Sequence, residues 1–309
     1  MAQTLVTGAA GFIGSHLTEA LLDRGDAVIG LDALVTGRRA NLESVMAAEA
    51  FRFVEGDIRN GTLLRELCAD VQTVYHQAAI PSVPRSVDDP VTTTDVNCVG
   101  TATVLDAARD TGVETVVVAS SSSVYGSETG VPKVETMTPQ PESPYALSKY
   151  YTEQLAMQAH TLYGTDTVAL RYFNVFGPRQ RPDGPYAAVI PAFLARMQAG
   201  EPPVIYGDGQ QTRDFTYIDN AVQANLAAAD ADVGGEVLNI GAGERLSVRA
   251  LVDLLNDVLG TSLTPEHSDP RAGDVRHSSA AIDRAGRIIG YTPAVDVATG
   301  IRRLVRSTG

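Results

Sequence analysis

Lysine, cysteine and long apolar runs are all scarce in this chain. Of its 24 basic residues only Lys133 and Lys149 are lysines, so each lysine needs an explanation. The two cysteines, Cys68 and Cys98, belong to no CxxC pair or Cys/His cluster, which argues against a metal site and fits a reducing cytoplasm. No apolar run reaches the roughly 18 residues of a membrane span, and the first residues lack the basic region and cleavage site of a leader. We therefore expect an unexported, cytoplasmic protein that holds no metal.

Positive charge is also in short supply. The chain has 37 acidic and 24 basic residues and a formal net charge of −13 at pH 7. Such a charge repels nucleic acid and anionic membrane surfaces, so neither is an expected partner. An acid excess with few lysines is typical of proteins from a high-salt cytoplasm, but a GC-rich genome also favours arginine over lysine. The composition leaves both explanations open.

Short β-like runs alternate with helical stretches through the first half of the chain. The runs are QTLVTG, AVIGLD, FRFVEGD, TVYHQAA, TVVVASSSSVYG and TVALRYFNVFGP, and helical patterns such as FIGSHLTEALLDRG separate several of them. This alternation predicts an α/β fold of the Rossmann type, a doubly wound parallel sheet covered by helices on both faces. The length of 309 residues allows one large domain or two.

The second half is richer in loops and predicts a smaller C-terminal substrate-binding lobe. Stretches such as GPRQRPDGPY and AGEPPVIYGDGQQ separate helical patterns near 187–198, 218–229 and 247–259. We expect a dinucleotide-binding domain over 1–175 and a second lobe over 176–309. Segments near 212–235 are expected to return to the first domain.

A glycine-rich turn follows the first predicted strand. The stretch VTGAAGFIGSHL places Gly8, Gly11 and Gly14 between strand and helix, where glycines allow a tight turn and close approach to a pyrophosphate at the helix N-terminus. Asp32 ends the second predicted strand, and its carboxylate is expected to accept hydrogen bonds from the adenosine ribose. That carboxylate would repel a ribose phosphate, so NAD is favoured over NADP. Arg38 and Arg39 follow it and would suit the phosphate of NADP.

Two further stretches are expected beside the cofactor. Asp57 and Ile58 follow the third strand and would hold the adenine, although an aspartate in an ordinary turn explains Asp57 almost as well. Ala78 and Ala79 end the fourth strand with small side chains that leave room for the cofactor.

Tyr145 and Lys149 stand four residues apart in SPYALSKYY, where Pro144 favours the start of a helix, so the two side chains share a helix face. The tyrosine pKa near 10 must fall by about 3 units, which requires about 4 kcal/mol, before the side chain ionises at neutral pH. An ammonium about 4 to 5 Å away supplies most of this energy, and its compact head fits below a nicotinamide ribose better than a planar guanidinium. Lys149 is therefore interpreted as catalytic. The alternative is a surface tyrosine and lysine on an amphipathic helix.

Seven stretches together resemble a known family. They are TGAAGFIG, HQAAIPSVPRS, SSSSVYG, SPYALSK, RYFNVFGP, GDGQQTRDFTYIDN and RAGDVRHS, and they span nearly the whole chain. They are similar to the extended short-chain dehydrogenases/reductases, in particular to the UDP-sugar 4-epimerases that act on UDP-glucose and UDP-N-acetylglucosamine. The resemblance implies tightly bound NAD, a UDP-sugar substrate and transient oxidation to a 4-keto sugar. It also implies a homodimer formed through helices near 98–110 and 145–163.

The resemblance assigns site residues position by position. Ser121 becomes the active-site hydroxyl, Tyr145 the acid/base and Lys149 the ribose-binding lysine. Further cofactor contacts fall on Phe12, Ile13 and Asn97. The substrate contacts fall on Ser82, Ser121, Ser122, Tyr145, Asn174, Gln180, Ala188, Val189, Tyr206, Arg213, Arg271, Asp274 and Ser278. Within that set, the resemblance places Asn174 and Arg213 at the diphosphate, where an arginine fork suits the anion.

Three observations bear on the substrate. Related 4,6-dehydratases have Asp-Glu directly after the active-site hydroxyl, whereas this chain has Ser122 and Ser123, so a dehydratase is disfavoured. A UDP-glucuronate epimerase or decarboxylase is the alternative enzyme and needs a cation for the sugar carboxylate, for which Arg85 is the candidate. The resemblance places Ser278 near the sugar's second carbon, where a serine leaves space for an N-acetyl group. The alternative is that Ser278 faces solvent on a loop. A non-catalytic NAD-binding regulator is the other alternative, but such proteins typically lack the tyrosine or the lysine.

Overall fold

Seven parallel strands form the centre of the fold. The computed structural model describes residues 3–127, 130–181, 188–270 and 275–308. The strands are β1 (Gln3–Thr7), β2 (Ala27–Asp32), β3 (Phe51–Glu55), β4 (Thr73–His76), β5 (Thr115–Ser121), β6 (Asp166–Tyr172), β7 (Val175–Phe176), β8 (Val204–Tyr206), β9 (Thr212–Arg213), β10 (Thr216–Tyr217), β11 (Glu236–Ile240), β12 (Leu246–Ser247) and β13 (Glu266–Ser268). The main sheet has the order β11-β6-β5-β4-β1-β2-β3, and every pairing in it is parallel. The α/β prediction is therefore confirmed.

Helices cover both faces of the sheet. They are α1 (Phe12–Arg24), α2 (Gly61–Cys68), α3 (Val83–Asp88), α4 (Pro90–Thr94), α5 (Gly100–Thr111), α6 (Pro144–Tyr163), α7 (Val189–Gln198), α8 (Ile218–Asp230), α9 (Val248–Leu259), α10 (Asp283–Ile289) and α11 (Val297–Thr308). A π-helical turn, Asp95–Val99, leads into α5. The three helices predicted in the second half correspond to α7, α8 and α9. Across the described ranges, none of these helices has both the length and the apolar surface needed to cross a bilayer.

The order of the strands explains where a ligand can bind. β1 lies between β2 and β4, so the chain leaves β1 in one direction for β2 and β3 and later in the other direction for β4, β5 and β6. Open parallel sheets bind ligands at the carboxyl ends of the strands beside such a reversal. Residues Val116, Val117 and Val118 of β5 are fully buried, as expected for a strand covered on both faces. The carboxyl end of β5 is the point where polar residues begin.

The chain returns to the main sheet after its loop-rich part begins. β11 pairs in parallel with the outer side of β6, and α8 packs against α1, β5 and β6. The small strand pairs β7 with β10, β8 with β13 and β9 with β12 lie outside the main sheet. These pairs bring segments from distant parts of the sequence to the carboxyl end of β6.

Local sequence fixes the start and end of α6, the helix that carries Tyr145 and Lys149. Ser143 caps the helix by accepting a hydrogen bond from the Ala146 N–H at 3.1 Å, and proline follows at the first helical position. Gly164 ends the helix with φ +74°, a left-handed conformation that suits glycine. In addition, the Tyr145 N–H donates to the Ser86 hydroxyl at 3.0 Å, which joins the first turn of α6 to α3.

Candidate active site

The turn between β1 and α1 has the close packing that the glycine spacing predicts. Gly8 has φ +71°, and a Cβ atom at Gly14 would lie 2.0 Å from the Gly8 carbonyl oxygen. A side chain at Gly14 would therefore push the helix away from the strand, and a larger residue at Gly8 would be strained. The backbone leaves a cradle at the helix N-terminus that fits the pyrophosphate of a dinucleotide.

Asp32 lies at the carboxyl end of β2, as predicted, and organises the same cradle. Its carboxylate accepts hydrogen bonds from the Ala10 N–H at 2.9 Å and the Leu34 N–H at 2.7 Å. Burial raises the pKa of Asp32, and the two N–H donors oppose that shift. One carboxylate thus fixes the loops on both sides of the predicted ribose position. The arrangement fits NAD, because Asp32 provides acceptors where NADP would carry a phosphate.

The other predicted cofactor residues differ in how they are placed. Ile58 is buried against Gly100, while the Asp57 carboxylate is paired with Arg59, whose hydrogen bonds lower the Asp57 pKa. Ala78 is half-buried, and its backbone nitrogen would lie only 2.8 Å from a Cβ atom added at Gly8. Only glycine therefore fits at position 8, next to Ala78. Ala79 is also half-buried.

Asn97 joins two segments of the protein near the predicted cofactor site. It lies buried in the π-helical turn, where its Oδ1 accepts from the Ile80 N–H at 2.8 Å and its Nδ2 donates to the Ser148 hydroxyl at 3.0 Å. The side chain therefore ties the segment after β4 to α6. Its predicted contact with the cofactor stays a prediction.

Tyr145 and Ser121 meet at the carboxyl end of β5. Their side chains lie beside each other, and both line a cavity of about 1160 Å³. Burial raises the pKa of Tyr145, and the neighbouring Ser121 side chain partly opposes that shift. The sequence predicts that the neighbouring ammonium lowers this pKa. In the protein alone the effect of burial is larger, so the tyrosine is a neutral hydroxyl at pH 7.

Lys149 lies one turn further along α6 and is 5% exposed. Its ammonium donates to the Ala119 carbonyl of β5 at 2.9 Å. Burial lowers the Lys149 pKa to about 8, while the Cys98 sulfur and, to a smaller extent, the negative charge of Glu153 raise it. The ammonium form is therefore the main form at neutral pH. The alternative of a surface tyrosine and lysine does not fit these buried, hydrogen-bonded positions.

One cavity brings together most of the predicted substrate residues. Its lining includes Phe12, Ile13, Ser121, Ser122, Tyr145, Asn174, Gln180, Ala188, Val189, Tyr206, Arg213 and Ser278. Asn174 adopts φ +34° and donates from Nδ2 to the Asp214 carbonyl at 2.9 Å. The Ser278 N–H donates to the Thr212 carbonyl at 3.1 Å, which fixes the serine beside β9. Ser278 thus borders the cavity, whereas a solvent-facing loop position was the alternative.

Two predicted contacts lie apart from this cavity, and two lie outside the described residues. The Ser82 hydroxyl accepts from the Arg85 N–H at 3.2 Å and caps α3. The Arg85 side chain belongs to the same short helix and is not part of the cavity lining among the described residues. Arg271 and Asp274 lie outside the described residues.

Sequence reasoning missed three residues that the fold brings to the site. Lys133, the second of the two lysines, is 2% exposed and lines the cavity, and its rarity was the available signal. Ser123 also lines it, with a buried hydroxyl that has no hydrogen-bond partner among the described residues. Glu153 is fully buried one turn beyond Lys149. It continues the four-residue spacing of Tyr145 and Lys149, and that spacing was the available signal.

Comparison with known proteins agrees with this geometry. Residues 4–241 match the model of the NAD dependent epimerase/dehydratase family. The chain is 41% identical to a UDP-glucose 4-epimerase of Mycolicibacterium smegmatis, over 98% of this chain and 97% of that protein. It is 34% identical to a UDP-glucuronate 4-epimerase of Thermodesulfobacterium geofontis, over 99% of this chain and 95% of the relative.

A solved structure is similar over the same length. It is a UDP-N-acetylglucosamine 4-epimerase from Methanobrevibacter ruminantium in complex with UDP-N-acetylmuramic acid, with a TM-score of 0.95 and 37% identity over 99% of this chain and 97% of that chain. The relatives therefore share the fold and the nucleotide-sugar chemistry but differ in the sugar named. With the glycine cradle, the Tyr145–Lys149 pair and matches of this extent, the chain belongs to the NAD-dependent epimerase/dehydratase family of extended short-chain dehydrogenases/reductases.

Proposed function

We propose that this protein inverts the fourth carbon of a UDP-linked hexose, with UDP-N-acetylglucosamine and UDP-N-acetylgalactosamine as its preferred pair. The observation that carries the proposal is that Tyr145 and Ser121 both line one cavity at the carboxyl end of β5, with the buried Lys149 ammonium one helical turn away. Both hydroxyls face the cavity that also contains Arg213 and Ser278.

The chemistry assigned to this chain is proton transfer at the sugar's fourth oxygen. Tyr145 removes the proton from the 4-hydroxyl and returns it after the sugar has turned over, while Ser121 bonds the same oxygen. Bound NAD supplies the hydride acceptor and donor for the adjacent carbon. Because burial raises the Tyr145 pKa, the Lys149 ammonium must act together with the positive charge of the oxidised cofactor to make the tyrosine a base.

Hydrogen-bonding groups on the cavity wall support a polyhydroxylated ligand. The Ser123 hydroxyl and Oε1 of Gln180 are buried without a partner among the described residues, and both residues line the cavity. An unpaired buried polar atom costs about 1–3 kcal/mol, and a sugar hydroxyl or amide can remove that cost. The Gln180 amide is oriented by its own Nε2, which donates to the Val175 carbonyl at 3.0 Å.

Local cations support an anionic substrate in a protein of net charge −13. Lys133, Arg196 and Arg213 all line the cavity. The Arg213 guanidinium donates to the Thr212 carbonyl at 2.9 Å, which holds it at the cavity edge where a diphosphate would lie. Asn174 holds the backbone next to Arg213, because its Nδ2 donates to the Asp214 carbonyl.

Ser278 supports the acetylated pair. It borders the cavity, and a serine leaves room near the sugar's second carbon that a tyrosine would fill. The M. ruminantium relative is named for UDP-N-acetylglucosamine, which agrees with this assignment. UDP-glucuronate is the second candidate substrate, because one of the relatives is a UDP-glucuronate 4-epimerase. The carboxylate of its sugar needs a cation, and Lys133 provides one at the cavity, whereas Arg85 was the candidate from the sequence.

A substrate panel tests the proposal. The purified protein is incubated without added NAD with UDP-glucose, UDP-galactose, UDP-glucuronate and the two UDP-N-acetylhexosamines, and products are separated by chromatography. We expect interconversion of the acetylated pair without added cofactor, because tightly bound NAD is regenerated in each turnover. Turnover of UDP-glucuronate alone would favour the second candidate. No turnover of any sugar, with or without added NAD, would favour a non-catalytic regulator.

We also propose that the protein is a homodimer joined through α5 and α6. The outer face of α6 exposes large apolar side chains, with Leu147 57%, Tyr151 44% and Leu162 65% accessible. Val99 is also exposed at the start of α5. Such a row of apolar side chains is typical of an interface between subunits. Light scattering should give twice the chain mass, and Leu147→Glu with Tyr151→Glu should give the monomer mass. A wild-type monomer would contradict this proposal.

A further inference from the structure

The face of α6 that carries the catalytic pair continues for one more turn. Tyr145, Lys149 and Glu153 follow one another at intervals of four residues, so they form one row along the helix. Lys149 is 5% exposed and Glu153 is fully buried. A buried carboxylate is uncommon unless it is paired.

Three consecutive residues of β5 lie along this row. The Ser121 side chain lies beside Tyr145, and the Ala119 carbonyl accepts from the Lys149 ammonium at 2.9 Å. Between them, the Ser120 hydroxyl donates to Oε1 of Glu153 at 2.5 Å. The end of the strand therefore holds Lys149 and Glu153 by separate hydrogen bonds.

Arg171 of β6 completes the surroundings of Glu153. Its Nε donates to Oε1 and its Nη2 to Oε2, each at 2.8 Å, in a two-point pair. Its remaining Nη1 donates to the Tyr125 hydroxyl at 2.8 Å. A buried ion pair gives little net stability over an apolar pair of the same size, so stability alone does not account for a charged pair at this place.

The groups around Lys149 show what the carboxylate does there. His76 of β4 is buried with its pKa lowered to about 3, so it is neutral at pH 7. Cys98 of the π-helical turn has its pKa raised by burial, so it is a neutral thiol. Tyr145 is also neutral, which leaves Glu153 as the negative charge near the ammonium among the described residues.

We propose that Glu153 is a positioning residue that keeps Lys149 protonated and directed along the row, and that Ser120 and Arg171 hold its carboxylate for this purpose. This role rests on the proposed function, because Lys149 acts by its charge on Tyr145. It adds a third residue to the pair that the sequence spacing identifies. Its action is electrostatic, so Glu153 needs no contact with substrate or cofactor.

The scarcity of lysine makes a direct test practical. Protein grown with lysine carrying 13C at Cε gives two lysine side-chain signals, and Lys133→Arg assigns them. Titration by NMR then gives the midpoint of Lys149 separately from that of Lys133. In Glu153→Gln we expect the Lys149 midpoint to fall by about one pH unit, as for loss of an opposite charge nearby. Ser120→Ala should shift it in the same direction by less.

A matched control separates this effect from a general change of charge. Glu114→Gln removes the same charge at an exposed position just before β5 and should leave the Lys149 midpoint unchanged. Because Glu153→Gln leaves Arg171 buried without its partner, the double variant Glu153→Leu with Arg171→Met is a second test that restores an apolar pair. We expect a smaller downward shift in the double variant, because the positive charge of Arg171 is removed together with the negative charge of Glu153.

The outcomes decide the inference independently of the enzyme's substrate. A Lys149 midpoint that is the same in wild type, Glu153→Gln and the double variant would show that Glu153 serves only to pair Arg171. If no sugar is turned over but the midpoint falls as expected, the proposed function fails and the electrostatic role of Glu153 stands. If turnover occurs, the high-pH limb of its pH profile should move down with the midpoint.

Discussion

The two walls of the cavity differ in how fully their polar groups are paired. On the catalytic wall, formed by β5 and α6, Lys149 and Glu153 are hydrogen-bonded within the protein, and Tyr145 lies beside Ser121. On the substrate wall, formed by residues 174–180, 204–213 and 275–278, Oε1 of Gln180 has no partner among the described residues. The catalytic groups are therefore positioned before any ligand arrives, while the substrate wall is completed by the ligand. We expect changes on the first wall to affect rate and changes on the second to affect the choice of sugar.

The largest effect is expected for Tyr145→Phe on the catalytic wall. The variant keeps the ring and its packing but removes the group that exchanges a proton with the sugar, so kcat should fall by about 10²- to 10⁴-fold. Folding, followed by circular dichroism, and the content of bound NAD should stay at wild-type values. Turnover near that of the wild type would show that another group accepts the proton.

Lys149→Arg should be the next most damaging change. The variant keeps a positive charge, but a planar guanidinium cannot occupy the buried space beside the Ala119 carbonyl in the same way. We expect kcat to fall by at least about tenfold.

The pH dependence separates the charge of Lys149 from its shape. Since the Lys149 pKa is about 8, the wild-type rate should decline as the pH rises through that value and the ammonium is lost. The residual rate of Lys149→Arg should lack this decline, because arginine stays protonated. The same high-pH decline in both proteins would assign it to another group.

On the substrate wall, Ser278→Tyr should change which sugar is accepted. The larger side chain should abolish turnover of the N-acetylated pair by steric overlap and spare UDP-glucose and UDP-galactose. The ratio of the two activities, measured on one preparation, is the readout, and Ser278→Ala is the control that removes the hydroxyl without adding bulk. An unchanged ratio in Ser278→Tyr would show that Ser278 does not border the acetyl position.

The smallest effect is expected from added salt, which acts on the charges of the exposed surface and not on the buried groups of the two walls. A net charge of −13 destabilises the compact state by self-repulsion, and added salt screens exposed charges much more than buried ones. The melting temperature should rise by a few degrees between low and about molar KCl. A flat or falling melting temperature would favour genome composition as the cause of the acid excess.

Several site residues were predictable because their signals are local. The turn glycines, Asp32 at the end of β2 and the spacing of Tyr145 and Lys149 each depend on the geometry of one strand, one turn or one helix. The assignments of Ser121 and Ser278 came from resemblance, and the structure places both residues at the cavity. Those roles remain predictions that the variants above test.

Other features could not be predicted because they depend on distances between separate segments. The contact of Asn97 with the cofactor stays a prediction, and only the fold shows that its amide also bonds Ile80 and Ser148, which are distant in sequence. Arg85 was the sequence candidate for a cavity cation, whereas Lys133 lines the cavity. A residue's type and neighbours in the chain do not show which hydrogen-bond partners the fold brings to it.

The sequence by itself determined the α/β class, the glycine cradle and the pairing of Tyr145 with Lys149 on one face of α6, since strand alternation, turn geometry and helical periodicity act over a few residues. Tertiary structure decided that β11 joins β6, that Ser120 and Arg171 meet Glu153, and that one cavity contains both Tyr145 and Ser278. The physical reason is that these contacts join segments far apart in the chain. Their geometry is set by the pairing of strands and the packing of the core, which have no signature in any single stretch of sequence.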